Sequence, residues 1–397
     1  MTEQKSPLEV LVKTINKQYG EGTLMFADQA TGLVIDRIPS GILSLDLQMG
    51  GGFPRGRISM IKGDYSTGKS AISMLTVAQA QRTCRYCGTP FESLSFYGEV
   101  SSFSCECKRC EPMRAVWLEA EHSWDSHWAS KWGVDTKSLY IIETEFAEQA
   151  IDVADMCIRS KECDLLVVDS IAALTPGVEV EESSQKWQMG VLARLIGKAL
   201  RKWTSGLNSY GLLGQTKCTI ILINQLRLSF GGYHPTITSP GGRGLDFFES
   251  LEIRFKKKEV IEDTGSKRPI GITVEFVIKK NKTAPPGQGG LFSLYFIPVP
   301  GRYTVGSTDI DMQVLQLAAF WNLIQKGGPW YTFPGGTRVK GKEAAASLLK
   351  DNPLLLEELI RLVAQRELAW QNTGDLGLET KEDKTNDSEK EDDEEDS

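Results

Sequence analysis

Eight consecutive residues have the types and spacing of a loop that cradles phosphate groups. Residues 63–70 follow an apolar run at 57–61 and open a predicted helix at 71–81, which is the context this motif requires. Glycines let the backbone wrap around an anion, and the loop N–H groups and the helix N-terminus point towards it. The loop therefore predicts a nucleotide site rather than a turn without a ligand. Its residues are Gly63, Asp64, Tyr65, Ser66, Thr67, Gly68, Lys69 and Ser70.

Two side chains of this loop have further expected roles. A lysine at the position of Lys69 bridges the β- and γ-phosphates of a bound nucleotide, and a hydroxyl at the position of Ser70 is a ligand for Mg²⁺. The expected cofactors are therefore ATP and Mg²⁺.

Carboxylates follow two further apolar runs that are typical of buried strands. Asp169 ends the run at 165–168, where it would complete the Mg²⁺ site. The run at 115–118 leads into Glu119 and Glu121, and either carboxylate could position or deprotonate an attacking water. We favour a solvated loop charge for Glu119, which leaves Glu121 as the candidate base.

Five of the eight cysteines lie within 27 residues. Cys84 and Cys87 form one Cys-x-x-Cys pair, and Cys107 and Cys110 form a second. Four thiolates at this spacing are typical of a structural zinc site, and an insert of this size has too little core to fold without a metal. Cys105 could replace Cys107 as a ligand. Redox disulfides are the alternative chemistry, which a reducing cytosol disfavours.

The charge of the chain is distributed unevenly along its length. The net charge of the whole chain is −7, but residues 375–397 contain 12 acidic residues and 3 lysines, which leaves the rest at about +2. We expect the tail to be disordered and to solubilise the chain or regulate it, while the body could hold a basic groove for nucleic acid.

No apolar run approaches the ~20 residues of a membrane span, and no secretory signal opens the sequence. The expected compartment is the cytoplasm.

Short apolar runs alternate with helical patterns through the middle of the chain, which predicts an α/β fold with a mostly parallel sheet. Apolar residues at helical spacing between residues 8 and 19 predict an N-terminal helix. This helix could pack on its own domain or serve oligomerisation by packing on a neighbouring copy. The expected domains are this helix and a linker at 1–35, an ATPase core at 36–302 with a zinc-ribbon insert at 83–114, a small C-terminal α/β domain at 303–371, and an acidic tail at 372–397.

Several blocks of the sequence together resemble the bacterial and phage RecA recombinases. After the phosphate loop come Glu-Ala-Glu-His at 119–122, Val-Val-Asp-Ser-Ile-Ala-Ala-Leu-Thr-Pro at 167–176, Leu-Ile-Asn-Gln-Leu-Arg at 222–227 and Lys-Asn-Lys at 280–282. They stand in the order and spacing of that family. The resemblance covers the chain to about residue 370, apart from the insert.

The resemblance implies roles for the residues around the nucleotide. Glu121 would activate the attacking water, and Gln225 would sense the γ-phosphate and pass the signal to DNA. Asp125 and Trp128 occupy the positions that contact adenine. Lys280 and Lys282 would reach across a subunit interface to the phosphates of the nucleotide bound to the neighbouring subunit. The alternative is that both lysines lie at a solvated strand end.

It also implies that two segments line a DNA channel and contact the backbone rather than the base sequence. Flexible loops without a ligand are the alternative. The DNA-binding candidates are Met189, Gly190, Arg194, Arg201, Arg227, Gly241 and Gly242. The implied partners are single- and double-stranded DNA, other copies of the chain in a helical filament, and single-strand-binding and mediator proteins.

The chain departs from the family pattern at three places. Asp64 and Tyr65 replace the usual Pro-Glu, Trp128 replaces a tyrosine, and the loop at 226–242 has a different composition. The implied activity is DNA-dependent ATP hydrolysis coupled to strand exchange. A motor or a RadA-like repair ATPase without strand exchange is the alternative. An internal ribbon and the sequence Lys-Asn-Lys-Thr-Ala at 280–284 argue against the RadA-like type.

Overall fold

The computed structural model describes residues 6–20, 23–25, 36–88, 107, 110–178, 190–208, 218–229, 236–238 and 244–373 of the 397 residues. The chain divides into two compact units, Met1–Asp309 and Ile310–Ser397. None of the helices in these ranges has the length and apolar character needed to cross a membrane. The acidic tail lies outside the described residues.

An eight-stranded sheet forms the centre of the first unit. Its strands lie in the order β12-β11-β10-β3-β7-β6-β4-β5. Neighbours from β10 to β5 run parallel, whereas β11 and β12 extend the β10 side antiparallel. The strands are β3 (Ile58–Gly63), β4 (Ala115–Glu119), β5 (Leu139–Ile142), β6 (Leu165–Asp169), β7 (Thr219–Gln225), β10 (Leu251–Glu262), β11 (Pro269–Asn281) and β12 (Gly289–Tyr295).

Five of these strands confirm the predicted α/β core. β3, β4, β6 and β7 are buried almost throughout, as expected for parallel strands that are covered on both faces. β5 is the edge strand, and Tyr140 and Ile141 on it are exposed. The antiparallel extension was not among the predicted strands. β11 alternates buried and half-exposed residues over part of its length, a pattern typical of a strand with one solvated face.

Helices cover both faces of the sheet. α3 (Lys69–Gln81) packs in one apolar cluster with Trp117 and Trp132. α5 (Ala147–Arg159) and α6 (Val191–Asn208) pack in a second cluster on the other face. The shorter helices are α2 (Leu43–Met49), α4 (Ser126–Lys131) and α7 (Leu245–Phe248). Two small pairs of strands complete the unit, β1 (Arg37–Ile38) with β2 (Phe53–Pro54) and β8 (Arg227–Ser229) with β9 (Thr236–Thr238).

The predicted N-terminal helix is confirmed as α1 (Pro7–Tyr19). Ser6 caps it by accepting a hydrogen bond from the Glu9 N–H group, and Gly20 ends it. No residue of α1 is buried. Its apolar side chains, including Leu8 and Leu11, are about half exposed.

Within residues 310–373, the second unit contains three helices and a small antiparallel sheet. Its core includes Trp321, Tyr331, Leu349 and Leu359. The elements are α8 (Ile310–Phe320), β13 (Gln325–Gly327), β14 (Trp330–Thr332), β15 (Arg338–Lys340), α9 (Lys342–Asp351) and α10 (Pro353–Thr373). The compact unit begins at Ile310, whereas the sequence analysis placed the start of the C-terminal domain at residue 303.

Candidate nucleotide-binding site and its surroundings

The phosphate loop connects β3 to α3 at the carboxyl edge of the parallel strands, where ligands bind in open α/β sheets. Its two glycines are fixed by close contacts. A Cβ atom on Gly63 would lie 2.7 Å from the carbonyl oxygen of Phe255. Gly68 has a φ of 81°, and a Cβ atom there would lie 2.6 Å from Leu294 Cδ1. Both positions therefore require glycine.

Lys69 lies buried against this loop. Its Nζ atom donates to the carbonyl oxygen of Gly63 at 3.0 Å and to that of Asp64 at 2.6 Å. Burial lowers the pKa of the Lys69 ammonium, and the carboxylates of Asp169 and Glu121 act against this shift. The side chain is thus held where the loop converges, as a phosphate-binding lysine must be.

The rest of the loop presents both side chains and backbone. The Thr67 hydroxyl donates to the Asp64 carbonyl oxygen at 2.9 Å. Ser66 adopts a left-handed conformation with φ of 55°, and Tyr65 is 67% exposed. Asp64 and Tyr65, where the sequence differs from the family pattern, are therefore exposed on the open side of the loop.

Asp169 and Ser70 meet as a donor set suited to a divalent cation. Burial raises the pKa of the Asp169 carboxyl to about 7, and repulsion from Glu121 and Glu119 raises this pKa further. The hydrogen bond from the Ser70 hydroxyl to the Asp169 carboxylate opposes the shift. A cation beside Asp169 would relieve this repulsion. The hydroxyl and carboxylate oxygens present fit Mg²⁺.

The two glutamates after β4 have different environments. Glu119 is buried and accepts hydrogen bonds from Trp117 Nε1 at 3.1 Å and from the Glu121 N–H group at 2.9 Å. Its carboxylate therefore stabilises the turn after β4, and the expectation that Glu119 is a solvated loop charge is wrong. Glu121 is exposed, and its Oε1 atom accepts from the Ser170 hydroxyl at 2.7 Å and from Gln225 Nε2 at 3.1 Å. The candidate base and the candidate sensor are thus hydrogen-bonded to each other.

Asp125 and Trp128 lie at the start of α4, beyond Glu121 in the chain. The Asp125 carboxylate caps the helix by accepting from the N–H groups of His127 at 2.8 Å and Trp128 at 3.0 Å. The bond from Trp128 contributes most to lowering the pKa of Asp125. The Trp128 ring is half-buried and packs edge-on against Trp132, with 5.8 Å between centroids. Their expected contact with adenine stays a prediction.

Lys280 and Lys282 lie together at the end of β11, beside α7. Lys280 Nζ donates to the carbonyl oxygen of Asp246, and Lys282 Nζ lies 3.4 Å from that of Phe247. Burial lowers the pKa of Lys280, and the nearby charge of Lys282 lowers it further. Two adjacent ammonium groups near the protein surface are chemically suited to phosphate.

The DNA-binding candidates are only partly described. Gly190 precedes α6 with a φ of 84°. Arg194 and Arg201 are exposed on α6, together with Lys198. Their spacing places the three cations on one face of the helix. Arg227 opens the β8–β9 hairpin, but its side chain lies outside the described residues. The candidates wholly outside them are Met189, Gly241 and Gly242.

The structure brings together three of the four predicted zinc ligands. The sulfur atoms of Cys84, Cys87 and Cys107 lie within 4.8 Å of one another, and those of Cys84 and Cys107 are 3.4 Å apart. Cys110 is exposed and is not part of this group, and Cys105 lies outside the described residues. Burial acts to raise the pKa of the Cys84 thiol, but hydrogen bonds from the N–H groups of Cys87 and Tyr86 bring it to about 6. Such a thiol is readily deprotonated, as a zinc ligand must be.

The cysteine cluster is joined to the core by ion pairs at the amino edge of the sheet. Arg85, between two of the cysteines, pairs with Glu162 at 2.8 Å and with Asp164 at 3.2 Å. Arg55 pairs with Asp164 at 2.7 Å and donates to the Arg85 carbonyl oxygen at 3.0 Å. Because β4 has five residues, the amino and carboxyl edges of the sheet are roughly 16 Å apart.

Sequence reasoning overlooked two residues beside the nucleotide site. Ser170 donates to Glu121, and its signal was its place directly after Asp169 at a strand end. Lys62 is a buried cation directly before Gly63. A lysine inside an otherwise apolar strand was the available signal.

Comparison with known proteins agrees with this geometry. A family profile for the RecA N-terminal domain matches residues 6–89 and 102–297, and the break lies within the cysteine-containing insert. Protein RecA of Amycolatopsis mediterranei (strain U-32) is 33% identical over 366 residues, which is 92% of each chain. Protein RecA of Thermus aquaticus is 34% identical over 365 residues, 91% of this chain and 95% of that protein. The profile and the relatives together cover the sheet, the phosphate loop and both glutamates. The chain therefore belongs to the RecA family.

Proposed function

We propose that this chain is an ATP- and DNA-dependent recombinase. It would form filaments on single-stranded DNA and catalyse homologous pairing and strand exchange, with ATP hydrolysis driving filament turnover. The observation that carries the proposal is the Glu121–Gln225 hydrogen bond of 3.1 Å beside Lys69 and Asp169. It joins a hydrolytic site to the strand that leads into the expected DNA loop.

Each residue of the site has a distinct part in hydrolysis. The loop N–H groups and Lys69 would bind the β- and γ-phosphates, while Ser70 and Asp169 would hold Mg²⁺. The ion would supply charge neutralisation during phosphoryl transfer. Glu121 is exposed to solvent and would orient the attacking water and accept its proton. The bond from Ser170 fixes the position of the Glu121 carboxylate.

Gln225 would couple the nucleotide to DNA. It is the last residue of β7, and β8 begins two residues later at Arg227. A γ-phosphate near Glu121 would compete for the Gln225 amide and shift the β8–β9 hairpin. Arg194, Lys198 and Arg201 on α6 would neutralise DNA phosphates without reading the base sequence.

Two exposed apolar surfaces support assembly into a filament. α1 has no buried residue, although it carries Leu8, Leu11 and Tyr19. The edge strand β5 exposes Tyr140 and Ile141. A second copy of the chain would cover these surfaces, and Lys280 and Lys282 would then contact the nucleotide of the neighbouring subunit.

The proposal also includes a structural Zn²⁺ ion held by Cys84, Cys87, Cys107 and Cys110. Three sulfur atoms already converge, and the reducing conditions of the expected cytoplasmic setting keep thiols available as ligands. Metal analysis of the pure protein should find one zinc ion per chain. A zinc-free protein that folds normally would contradict this part of the proposal.

The first test of function is phosphate release from ATP with and without single-stranded DNA, together with electron microscopy of the complexes. The proposal predicts stimulation by DNA and ATP-dependent filaments. ATPase activity without filaments would favour the alternative, a DNA-repair accessory ATPase or motor of the RadA-like kind, to which a zinc site is also suited.

A further inference from the structure

A buried lysine lies directly under the phosphate loop. Lys62 is the residue before Gly63, and its side chain is 3% exposed. Its ammonium lies 2.9 Å from Glu252 Oε2, 3.1 Å from Asp246 Oδ1 and 3.9 Å from Glu249 Oε2. A charge this deeply buried must be paired, and these three carboxylates provide the pairing.

The charges around this lysine balance without a metal ion. Glu252 also accepts from Arg254 Nε at 2.7 Å. Burial raises the pKa of Glu249 to about 8, and the charge of Lys62 opposes the shift. No donor in the described part of the chain reaches the Glu249 oxygens, but a protonated Glu249 would itself donate to Glu252. Two carboxylates then face two cations, and the ammonium occupies the space where a metal would bind.

Asp246 connects this buried cation to α7. Asp246 lies on α7, and its side chain is 55% exposed. In the sequence, α7 follows the segment at 239–243, in which Gly241 and Gly242 are DNA-binding candidates. The backbone carbonyl oxygens of α7 accept from the two interfacial lysine candidates at the end of β11. The helix therefore contacts the two lysines that would meet a neighbouring subunit, and it directly follows in sequence the segment that would respond to DNA.

On the other side, Lys62 is continuous with the loop that orients the catalytic lysine. The Gly63 carbonyl oxygen accepts from Lys69 Nζ at 3.0 Å and from the Leu226 N–H group at 3.2 Å. A displacement of Lys62 along β3 would move this carbonyl, and with it both groups that donate to it.

We propose that the Lys62–Asp246 ion pair is a positioning contact that transmits the state of α7 to the phosphate loop. Lys62 touches no reacting atom in this scheme. When α7 shifts on DNA binding, the pair carries the shift to Gly63 and so to Lys69. This inference rests on the proposed DNA-dependent ATPase activity and adds a second route beside the Glu121–Gln225 bond.

Asp246→Asn is the variant that tests it, because Asp246 is partly exposed and Lys62 keeps Glu252. Glu262→Gln is the matched control, since it neutralises an exposed carboxylate at the far end of β10. We expect Asp246→Asn to lower the stimulation of ATP hydrolysis by single-stranded DNA at least about fivefold, with the Kd for a fluorescent ATP analogue without DNA changed by less than about twofold. Asp246→Glu should restore stimulation.

Three outcomes would overturn the inference. Wild-type stimulation in Asp246→Asn would show that the ion pair carries no signal. A Tm lowered by more than about 4 °C relative to Glu262→Gln would assign it a structural role only. If DNA does not stimulate ATP hydrolysis by the wild-type protein, both the proposed function and the inference are wrong. This outcome differs from the other two because it is seen before any substitution is made.

Discussion

Replacement of Arg85 tests whether the cysteine site is part of the ATPase core or an appendage to it. The Arg85 side chain is 8% exposed and binds Asp164 at 3.2 Å, Glu162 at 2.8 Å and the Lys161 carbonyl oxygen at 2.9 Å. Arg85→Met keeps the length of the side chain and removes all three contacts. Asp164 would retain Arg55 as a partner.

The expected cost follows from these contacts. A buried hydrogen bond to a charged group is worth about 1.5–3 kcal/mol, and one to a carbonyl about 1 kcal/mol. The pair with Glu162 adds little, because the Glu162 side chain is 59% exposed. We expect Arg85→Met to lower the free energy of unfolding by about 3 kcal/mol, which corresponds to a Tm lower by roughly 4–6 °C in a unit that ends at Asp309.

Thermal unfolding followed by far-UV circular dichroism would measure this shift, with Arg268→Met in the β10–β11 turn as the control. A zinc chelator should lower the Tm of the wild type, and lower that of Arg85→Met by less, because the two changes remove the same connection. The reasoning is refuted if Arg85→Met unfolds within about 2 °C of the control while still binding zinc.

Three further predictions concern the site, the buried acid and the tail. Glu121→Gln should lower kcat for ATP hydrolysis by about 10²–10⁴-fold, because it removes the base; unchanged phosphate release would exclude Glu121 from that role, and equilibrium titration should find ATP binding retained. Burial raises the pKa of Glu249 from 4.5 to about 8, so the free energy of unfolding should fall as the pH rises through that window. Glu249→Gln should flatten the dependence of Tm on pH between 6 and 8, and an unchanged slope would contradict the raised pKa. Removal of residues 375–397, with a net charge of −9, should strengthen binding to duplex DNA at low salt and have little effect at high salt, measured by fluorescence anisotropy; equal affinities at low salt would count against a repelling tail.

The sequence was most informative where local chemistry and secondary structure coincide. The strands ending in Gly63, Glu119 and Asp169 were predicted within two residues of their observed ends, because apolar runs and the residues after them are both local signals. The environment of Glu119 was predicted wrongly, because the expected solvated loop charge is buried and binds Trp117 Nε1. The choice of Glu121 as the base stays a prediction.

Contacts between distant parts of the chain were not predictable in this way. The Lys62 network joins β3 to residues nearly 190 positions later, and nothing near Lys62 in the sequence indicates its partners. Likewise, nothing near Arg85 in the sequence indicates its ion pair with Asp164. The Lys62 pairs depend on the register of β3 against β10, which a single sequence does not specify.

Strand exchange between circular single-stranded DNA and homologous linear duplex tests the central claim most directly. With ATP and Mg²⁺, the wild-type protein should produce joint molecules, and it should produce none when ATP is omitted. DNA-stimulated ATP hydrolysis without joint molecules would contradict the claim, and would identify a RecA-family ATPase that uses the same nucleotide site for another task.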